Sequence, residues 1–303
     1  MPAHEDILHA LVSIKGCSVE ENIPLSGLTT WRVGGAARFV VRVEDRQALR
    51  EVLGRLRESG TKLFVLGNGS NILVSDAGFD GAVLRLKGDL ASIEEDGETM
   101  YAGAGAMLGA AVTAAARASL SGLEFAMGIP GTVGGAVMIN AGTFAGSTAL
   151  VAGEVEALAL EGEAVTFTEF SDAYRQALVP PDHVIMGARF KLERSLAAEI
   201  KRKMEEVRAR RAAQPVGEAT AGSVFMNPPG DSAGRLLDEC GLKGRSAGAA
   251  TVSRLHANFI INEGGAKAKD IKELMEEMAS EVRDRFDVEL QPEVTLVGFE
   301  EER

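Results

Sequence analysis

A run of fifteen residues, Gly128 to Gly142, combines five glycines with large apolar side chains. Flexible linkers rich in glycine and serine stay solvated and carry few such side chains, so this run is not a linker. Glycine among Ile, Val and Met indicates a backbone that packs closely against something bulky. The partner is either a neighbouring backbone or a large ligand. The run by itself slightly favours internal packing.

Length and composition limit the classes of protein to consider. The chain has 303 residues, enough for two domains, and its 46% apolar and 25% charged residues fit a soluble globular protein. The net charge of −12 argues against general nucleic-acid binding, which needs a basic surface. No stretch of the sequence has the length and apolarity of a membrane span, and the first residues do not resemble a signal peptide. We therefore expect a cytoplasmic protein with no nucleic-acid or membrane partner.

The histidines show no spacing typical of metal ligands. They stand at positions 4, 9, 183 and 256, and the two cysteines, Cys17 and Cys240, belong to no Cys-x-x-Cys motif. We expect no metal site.

The pattern of apolar residues predicts an α+β organisation in three parts. Residues 1–20 are expected to form a short helix and a linker. Residues 21–194 alternate short strands with helices at 45–60 and 108–119, and contain many glycines. From residue 195 the composition shifts to a helix over 196–212, a strand at 223–226, a long helix ending near Phe286 and a strand at 293–299. Residues 195–303 are expected to form a second α+β domain.

Two further glycine-containing elements precede the opening run. Gly67-Asn68-Gly69-Ser70-Asn71 directly follows a predicted strand, and its successive N–H groups can form an anion-binding nest. A tight turn between strands explains this loop equally well. It matches neither the Gly-x-Gly-x-x-Gly dinucleotide fingerprint nor a Walker loop. The other element is Thr30-Trp31-Arg32-Val33-Gly34-Gly35. Together with the Gly128–Gly142 run, these two elements favour a large cofactor that contains a diphosphate.

These three elements, in this order, resemble the UDP-N-acetylenolpyruvoylglucosamine reductase (MurB) family, and the length resembles its shorter subtype. The resemblance covers roughly residues 20–299. It implies a vanillyl-alcohol-oxidase/PCMH-type FAD-binding domain followed by a C-terminal α+β substrate-binding domain. It also implies non-covalent FAD, NADPH as co-substrate, and reduction of UDP-N-acetylglucosamine enolpyruvate to UDP-N-acetylmuramate for peptidoglycan synthesis.

The resemblance implies which residues meet FAD. The 67–71 loop would meet the diphosphate, and the 128–142 run would lie along the flavin. The implied cofactor-binding residues are Thr30, Gly34, Gly67, Asn68, Gly69, Ser70, Asn71, Gly128, Ile129, Gly131, Thr132, Gly134, Gly135, Asn140 and Gly142.

Three catalytic residues are implied in the same way. Ser223, in Gly-Ser-x-Phe, would donate a proton to C2 of the substrate while hydride arrives from flavin N5. Arg175, after Tyr174, would polarise the enolpyruvyl carboxylate, for which a guanidinium fork is well shaped. Glu293 would act with Arg175, and we choose it over Glu289 because it immediately precedes an apolar strand. Without the resemblance, each of these residues would be read as structural or as an exposed charge.

Substrate-binding roles are implied for Tyr174, Arg211, Asn227 and His256. His256 is expected to order its turn more than to do chemistry. The sequence departs from the family at Met226, where many members carry Lys or Arg. Lys243 or Arg245 could supply the positive charge that is missing at Met226.

A second departure from the family is Ala177, where the family usually has serine.

Two other functions remain open at this stage. The chain could be an oxidase or dehydrogenase of the same FAD fold with another substrate, or a non-catalytic nucleotide-binding protein. The triad of Arg175, Ser223 and Glu293 argues against the first of these. Ser223 and Glu293 also argue against the second, which only Met226 and Ala177 favour. We expect a monomer that binds a sugar nucleotide and NADPH.

Overall fold

The computed structural model describes residues 4–299. The ends of the expected N-terminal and C-terminal segments, residues 1–3 and 300–303, lie outside the described residues. The α-helices are α1 His4–Val12, α2 Arg46–Ser59, α3 Leu108–Arg117, α4 Val133–Met138, α5 Thr148–Val151, α6 Ala197–Arg211, α7 Ala233–Glu239 and α8 Ala268–Phe286.

The strands are mostly short. In chain order they are β1 Cys17–Pro24, β2 Ala36–Val43, β3 Leu63–Val65, β4 Ile72–Val74, β5 Phe79–Leu86, β6 Ile93–Asp96, β7 Thr99–Gly103, β8 Leu120–Ser121, β9 Gly142–Thr143, β10 Gly146–Ser147, β11 Ala152–Ala159, β12 Ala164–Phe167, β13 His183–Lys191, β14 Glu193–Arg194, β15 Ser246–Ala247, β16 Ala250–Val252, β17 Ile260–Asn262 and β18 Thr295–Val297.

The chain packs as two compact units. The first unit contains residues 4–21, 39–68 and 81–210, and the second contains residues 22–38, 69–80 and 211–299. Two segments of the N-terminal half therefore belong with the C-terminal residues. The boundaries expected from sequence, at 20/21 and 194/195, do not include this exchange and stay a prediction.

The first unit contains an antiparallel five-stranded sheet in the order β12-β11-β13-β7-β6 and most of a sheet in the order β1-β2-β5-β3. Helix α2 shows why its sequence forms a helix here. Asp45 caps its N-terminus by accepting from the Ala48 N–H at 2.8 Å, and Gly60 ends it in the left-handed conformation. Its apolar face joins a core that includes Leu49, Leu53 and strand β2.

The second unit has its own core around Trp31, the single tryptophan of the chain, which is fully buried. The indole N–H donates to the Ile260 carbonyl at 2.8 Å, and the Asn262 amide donates to the Trp31 carbonyl at 2.8 Å. Strand β4 pairs in parallel with β18, and in this pairing Ile72 lies opposite Thr295. The carboxylate of Asp76 accepts from the first N–H groups of α8. These bonds hold the N-terminal segments within the unit.

Most predicted elements are confirmed, including the helices near 45–60 and 108–119 and the long helix that ends at Phe286. Two predictions were wrong. Residues 17–20, expected in a linker, begin strand β1, because a strand at the end of a sheet can carry polar side chains. Residues 223–226 form no continuous strand, since only Ser223 and Phe225 make isolated β-bridges.

Candidate active site

The Gly128–Gly142 run folds into a turn, helix α4, a left-handed residue and the start of a hairpin. Gly128 and Gly131 have φ values of +75° and +154°, which only glycine adopts easily. At Gly142, a Cβ would lie 2.7 Å from the Gly146 carbonyl oxygen. Backbone conformation and close internal packing therefore account for these three glycines.

Gly134 and Gly135 are neighbours in α4 with opposite surroundings. A Cβ on Gly134 would lie 2.8 Å from the Ala104 Cβ, and the Gly134 N–H donates to the Ala104 carbonyl. Gly135 is exposed, and its Cβ would meet only the Thr132 hydroxyl, at 3.5 Å. Internal packing explains Gly134. Gly135 is the member of the pair whose missing side chain leaves open room beside the backbone.

The 67–71 loop is held at its first residue from two sides within the first unit. A Cβ on Gly67 would lie 2.5 Å from the Thr132 Oγ1 atom, and the Arg85 guanidinium donates to the Gly67 carbonyl at 3.4 Å. Thr132 also accepts from the Gly135 N–H at 3.3 Å. Predicted cofactor residues Gly67, Thr132 and Gly135 therefore lie together. The neighbouring Asn68 and Ile129 are half-buried.

In the second unit, the Thr30 segment runs along the continuation of the same loop. Both the N–H and the hydroxyl of Thr30 donate to the Gly69 carbonyl, at 3.0 and 3.3 Å. A Cβ on Gly34 would lie 2.8 Å from the Val74 Cβ. The sequence predicted Thr30, Gly34 and Gly69 as cofactor contacts. The structure joins Thr30 to Gly69 by hydrogen bonds and packs Gly34 against Val74. Ser70, next in the loop, is half-buried.

Asn71 connects the loop to the predicted catalytic glutamate. Its amide donates to the Glu293 main-chain carbonyl at 3.0 Å, and its own carbonyl accepts from the Thr295 N–H at 3.0 Å. The Glu293 N–H donates in turn to the Val224 carbonyl at 2.8 Å. Because Val224 follows Ser223, the structure brings both predicted catalytic residues of the second unit onto adjacent backbone segments. Both side chains are half-buried.

Asn258 fixes the Ser223 segment, and sequence reasoning gave this residue no role. The Asn258 side chain, 3% exposed, accepts from the Phe225 N–H at 3.0 Å and donates to the Phe225 carbonyl at 2.8 Å. Its main-chain carbonyl accepts from the Val224 N–H at 2.9 Å. The one sequence signal was an asparagine directly before the apolar residues Phe259, Ile260 and Ile261.

Arg175 lies in the first unit, and it is a non-glycine residue with a positive φ, of 56°. Its guanidinium donates to the Asn140 carbonyl at 3.3 Å and lies 5.1 Å from the ring centroid of Tyr174. Left-handed backbone is costly for such residues and concentrates at functional sites. Tyr174 is exposed. The structure thus joins Tyr174, Arg175 and Asn140, three predicted site residues.

The predicted substrate residues of the second unit differ in their surroundings. Burial lowers the pKa of the half-buried Arg211 guanidinium, which has no carboxylate partner within residues 4–299. The Asn227 side-chain oxygen accepts from the Ala233 N–H at 3.1 Å, at the start of α7. Arg211 is therefore a cation available for an anionic ligand.

His256 orders its own turn, as expected. Its Nδ1 atom accepts from the Asn258 N–H at 3.2 Å, and its ring packs edge-on against Phe259 with centroids 4.9 Å apart. Burial first, and then the charge of Lys243, lowers the pKa of His256. The imidazole is thus neutral at pH 7 and acts as an acceptor.

Neither possible substitute for the charge missing at Met226 is an isolated cation. Lys243 makes an ion pair with Asp238 at 2.7 Å, and Arg245 makes one with Glu277. Within the described part of the chain, no helix is long and apolar enough to cross a membrane. Residues 4–299 also contain no cluster of His, Cys, Asp or Glu that could hold a metal ion.

Comparison with known proteins gives a consistent result. Residues 37–168 match the family model described as a FAD binding domain. Residues 214–297 match the model of the C-terminal domain of UDP-N-acetylenolpyruvoylglucosamine reductase. These two matches confirm the predicted fold class.

Relatives match over nearly the full length. UDP-N-acetylenolpyruvoylglucosamine reductase of Anaeromyxobacter sp. (strain Fw109-5) is 43% identical over 92% of this chain and 89% of its own. The Myxococcus xanthus protein of the same name is 40% identical, with 94% of each chain covered. The crystal structure of the reductase (MurB) from Thermus caldophilus superposes with a TM-score of 0.82 at 40% identity, over 93% of this chain and 99% of that one. The chain belongs to the UDP-N-acetylenolpyruvoylglucosamine reductase family.

Proposed function

We propose that this protein reduces UDP-N-acetylglucosamine enolpyruvate to UDP-N-acetylmuramate with non-covalent FAD and NADPH. The observation that carries the proposal is the bond from Glu293 N–H to the Val224 carbonyl, which sets Glu293 beside Ser223. Protonation of the substrate carbon needs a positioned acid, proposed to be Ser223, and groups that act on the charge developing at the neighbouring carboxylate, a role proposed for Glu293 with Arg175. The product is a precursor of peptidoglycan.

The residues of the chain fit a bound FAD. In the first unit, exposed Gly135 leaves open room beside the backbone of α4, and Gly67 lies close to Thr132 and accepts from Arg85. In the second unit, the Asn71 amide donates to the Glu293 carbonyl. A bound flavin would carry the hydride from NADPH to the substrate. Thr30, Gly34, Gly67 to Asn71 and the 128–142 run are the residues that would hold it.

Ser223 is the proposed proton donor to C2 of the substrate. It follows Gly222, whose φ is +82°, and its segment is fixed by the buried Asn258. A hydroxyl has a high intrinsic pKa, so catalysis depends on accurate placement of its proton. Arg175 and Glu293 are proposed to stabilise the carboxylate as charge develops on the substrate.

Arg211, Asn227, Tyr174 and His256 are proposed to form the substrate-binding set. Arg211 contributes an unpaired charge suited to a UDP diphosphate, and His256 acts by ordering its turn. We further propose a cytoplasmic monomer with domains at 21–194 and 195–303.

Half-reactions test the proposal. The purified protein should be yellow, its flavin absorbance should be bleached by NADPH, and the enolpyruvyl substrate should restore the colour. Ser223→Ala should leave the bleaching rate intact and slow only the restoration, while Ser246→Ala, an exposed serine of the same unit, should change neither. A colourless protein that takes up no FAD would refute the proposal. Restoration by oxygen alone, without a response to the substrate, would favour an oxidase of the same fold.

A further inference from the structure

Arg85 is a cation among the apolar residues of the second half of strand β5, Ala82 to Leu86. On β5, Ala82, Leu84 and Leu86 face the core of the first unit, so Arg85 projects from the opposite face of the sheet. Its Nε atom is buried and has no hydrogen-bond partner within residues 4–299. A buried donor without a partner is costly, so a function for it should be sought.

Within residues 4–299, the Arg85 guanidinium makes one hydrogen bond, and it goes to the loop proposed to hold the FAD diphosphate. Its Nη2 atom donates to the Gly67 carbonyl at 3.4 Å. Strand β3 leads into that loop and pairs in parallel with β5, joining Val65 to Leu84. The position of Arg85 beside the loop is therefore fixed by sheet pairing.

The charges near Arg85 are also positive. Burial first, and then the charge of Arg42, lowers the pKa of Arg85, and the charges of Arg85 and Arg42 contribute to lowering that of Lys87. Glu20 pairs with Arg42, and within residues 4–299 no carboxylate pairs with Arg85. A chain with a net charge of −12 thus keeps an uncompensated, half-buried guanidinium at this loop. Such a local field attracts an anion against the charge of the whole protein.

We propose that Arg85 is a cofactor-binding residue that holds the Gly67 peptide in place and supplies the positive charge for the diphosphate of FAD. This inference rests on the proposed function and extends the site to a residue outside the glycine elements. In the protein without FAD, Arg85 is a half-buried charge whose buried Nε donor has no partner within residues 4–299. With FAD, its charge and its Nε donor gain a partner.

The test compares FAD affinity and stability in the same variants. FAD would be removed from the purified protein, and the apoprotein would be titrated with FAD while flavin fluorescence is followed. Arg85→Met should raise the Kd for FAD by about tenfold or more, since a charge-assisted hydrogen bond is lost. Arg85→Lys keeps the positive charge but loses the planar guanidinium group with its several N–H donors. The Kd of Arg85→Lys for FAD should therefore lie between that of the wild type and that of Arg85→Met. Arg55→Met, on the exposed face of helix α2, should leave the Kd unchanged.

The thermal midpoint of the apoprotein separates a binding role from a structural one. Arg85→Met should leave this midpoint equal or higher, because it removes an unpaired buried charge, and should reduce the rise that FAD produces. A Kd within twofold of the wild type would overturn the inference. So would a lowered apoprotein midpoint in both Arg85→Met and Arg85→Lys with equal losses of affinity. Failure of the wild-type apoprotein to bind FAD would instead refute the proposed function.

Discussion

The main-chain carbonyl of Asn140 accepts a hydrogen bond from the guanidinium of Arg175, and both residues have left-handed backbone, with φ values of 44° and 56°. Asn140 is buried, and its side chain accepts from the Ala149 N–H and donates to the Ala173 carbonyl. One asparagine therefore ties the end of the glycine run to the segment that carries Arg175.

Replacing Asn140 should disturb this segment in two separable ways. Asn140→Ala loses both side-chain bonds and puts alanine, which tolerates positive φ less well than asparagine, at this position, at a cost of about 2–4 kcal/mol of unfolding free energy. Asn140→Gly loses the bonds but tolerates the φ, so its loss should be smaller. Urea unfolding measures both, and the KM for the enolpyruvyl substrate should rise in both as Arg175 loses its support. Equal losses in the two variants would contradict the contribution of backbone strain.

Alanine at Gly134 and at Gly135 should have opposite effects on stability. Gly134→Ala drives a methyl group against Ala104 and should cost about 1–3 kcal/mol. Gly135→Ala lies on an exposed helical position and should stabilise the apoprotein by up to about 1 kcal/mol.

Titration of the Gly135→Ala apoprotein with FAD tests whether Gly135 belongs to the cofactor site. If Gly135 lies against the flavin, Gly135→Ala should raise the Kd for FAD although it stabilises the apoprotein. An unchanged Kd would remove Gly135 from the cofactor site.

Asn258→Ala should strongly destabilise the protein, because it removes the side chain that bonds to the main-chain N–H and carbonyl of Phe225. We expect a loss of about 2–4 kcal/mol in urea unfolding. In protein that remains folded, restoration of flavin colour by the substrate should slow while bleaching by NADPH does not, because only the Ser223 segment is displaced. Slowing of both half-reactions would show that Asn258 supports the whole unit and not this segment alone.

His256 should make stability depend on pH. Its pKa in the folded protein lies below the ordinary value, so the unfolded chain takes up the proton first. Its contribution is therefore present above the ordinary histidine pKa and is lost as the pH falls below it. Urea unfolding at pH 7.5 and pH 5.5 should show a smaller decrease in His256→Asn, in which the amide oxygen can still accept from the Asn258 N–H. If the free energy of unfolding fell equally in the wild type and in His256→Asn, the pH dependence would come from other groups.

The glycine elements and the periodic helices could be predicted from the sequence because each depends on local chemistry. Thr30, Gly69 and Asn71 could be placed in one site only through the family resemblance, since residue spacing does not reveal which loops meet. Arg85 and Asn258 escaped prediction for a different reason. Each is a single polar residue in an apolar stretch, and only tertiary contacts distinguish such a residue from a tolerated exception.

Strand β4 has its partner β18 at the other end of the chain, and Asn71 bonds to Glu293 and Thr295. During synthesis, residues 22–38 and 69–80 leave the ribosome long before the residues that complete their unit exist. The 67–71 loop, which we propose meets the FAD diphosphate, therefore lacks these partners until Glu293 and Thr295 have been synthesised. A nascent chain stalled before residue 293 should be unable to retain FAD tightly, so we expect cofactor loading to follow the synthesis of β18.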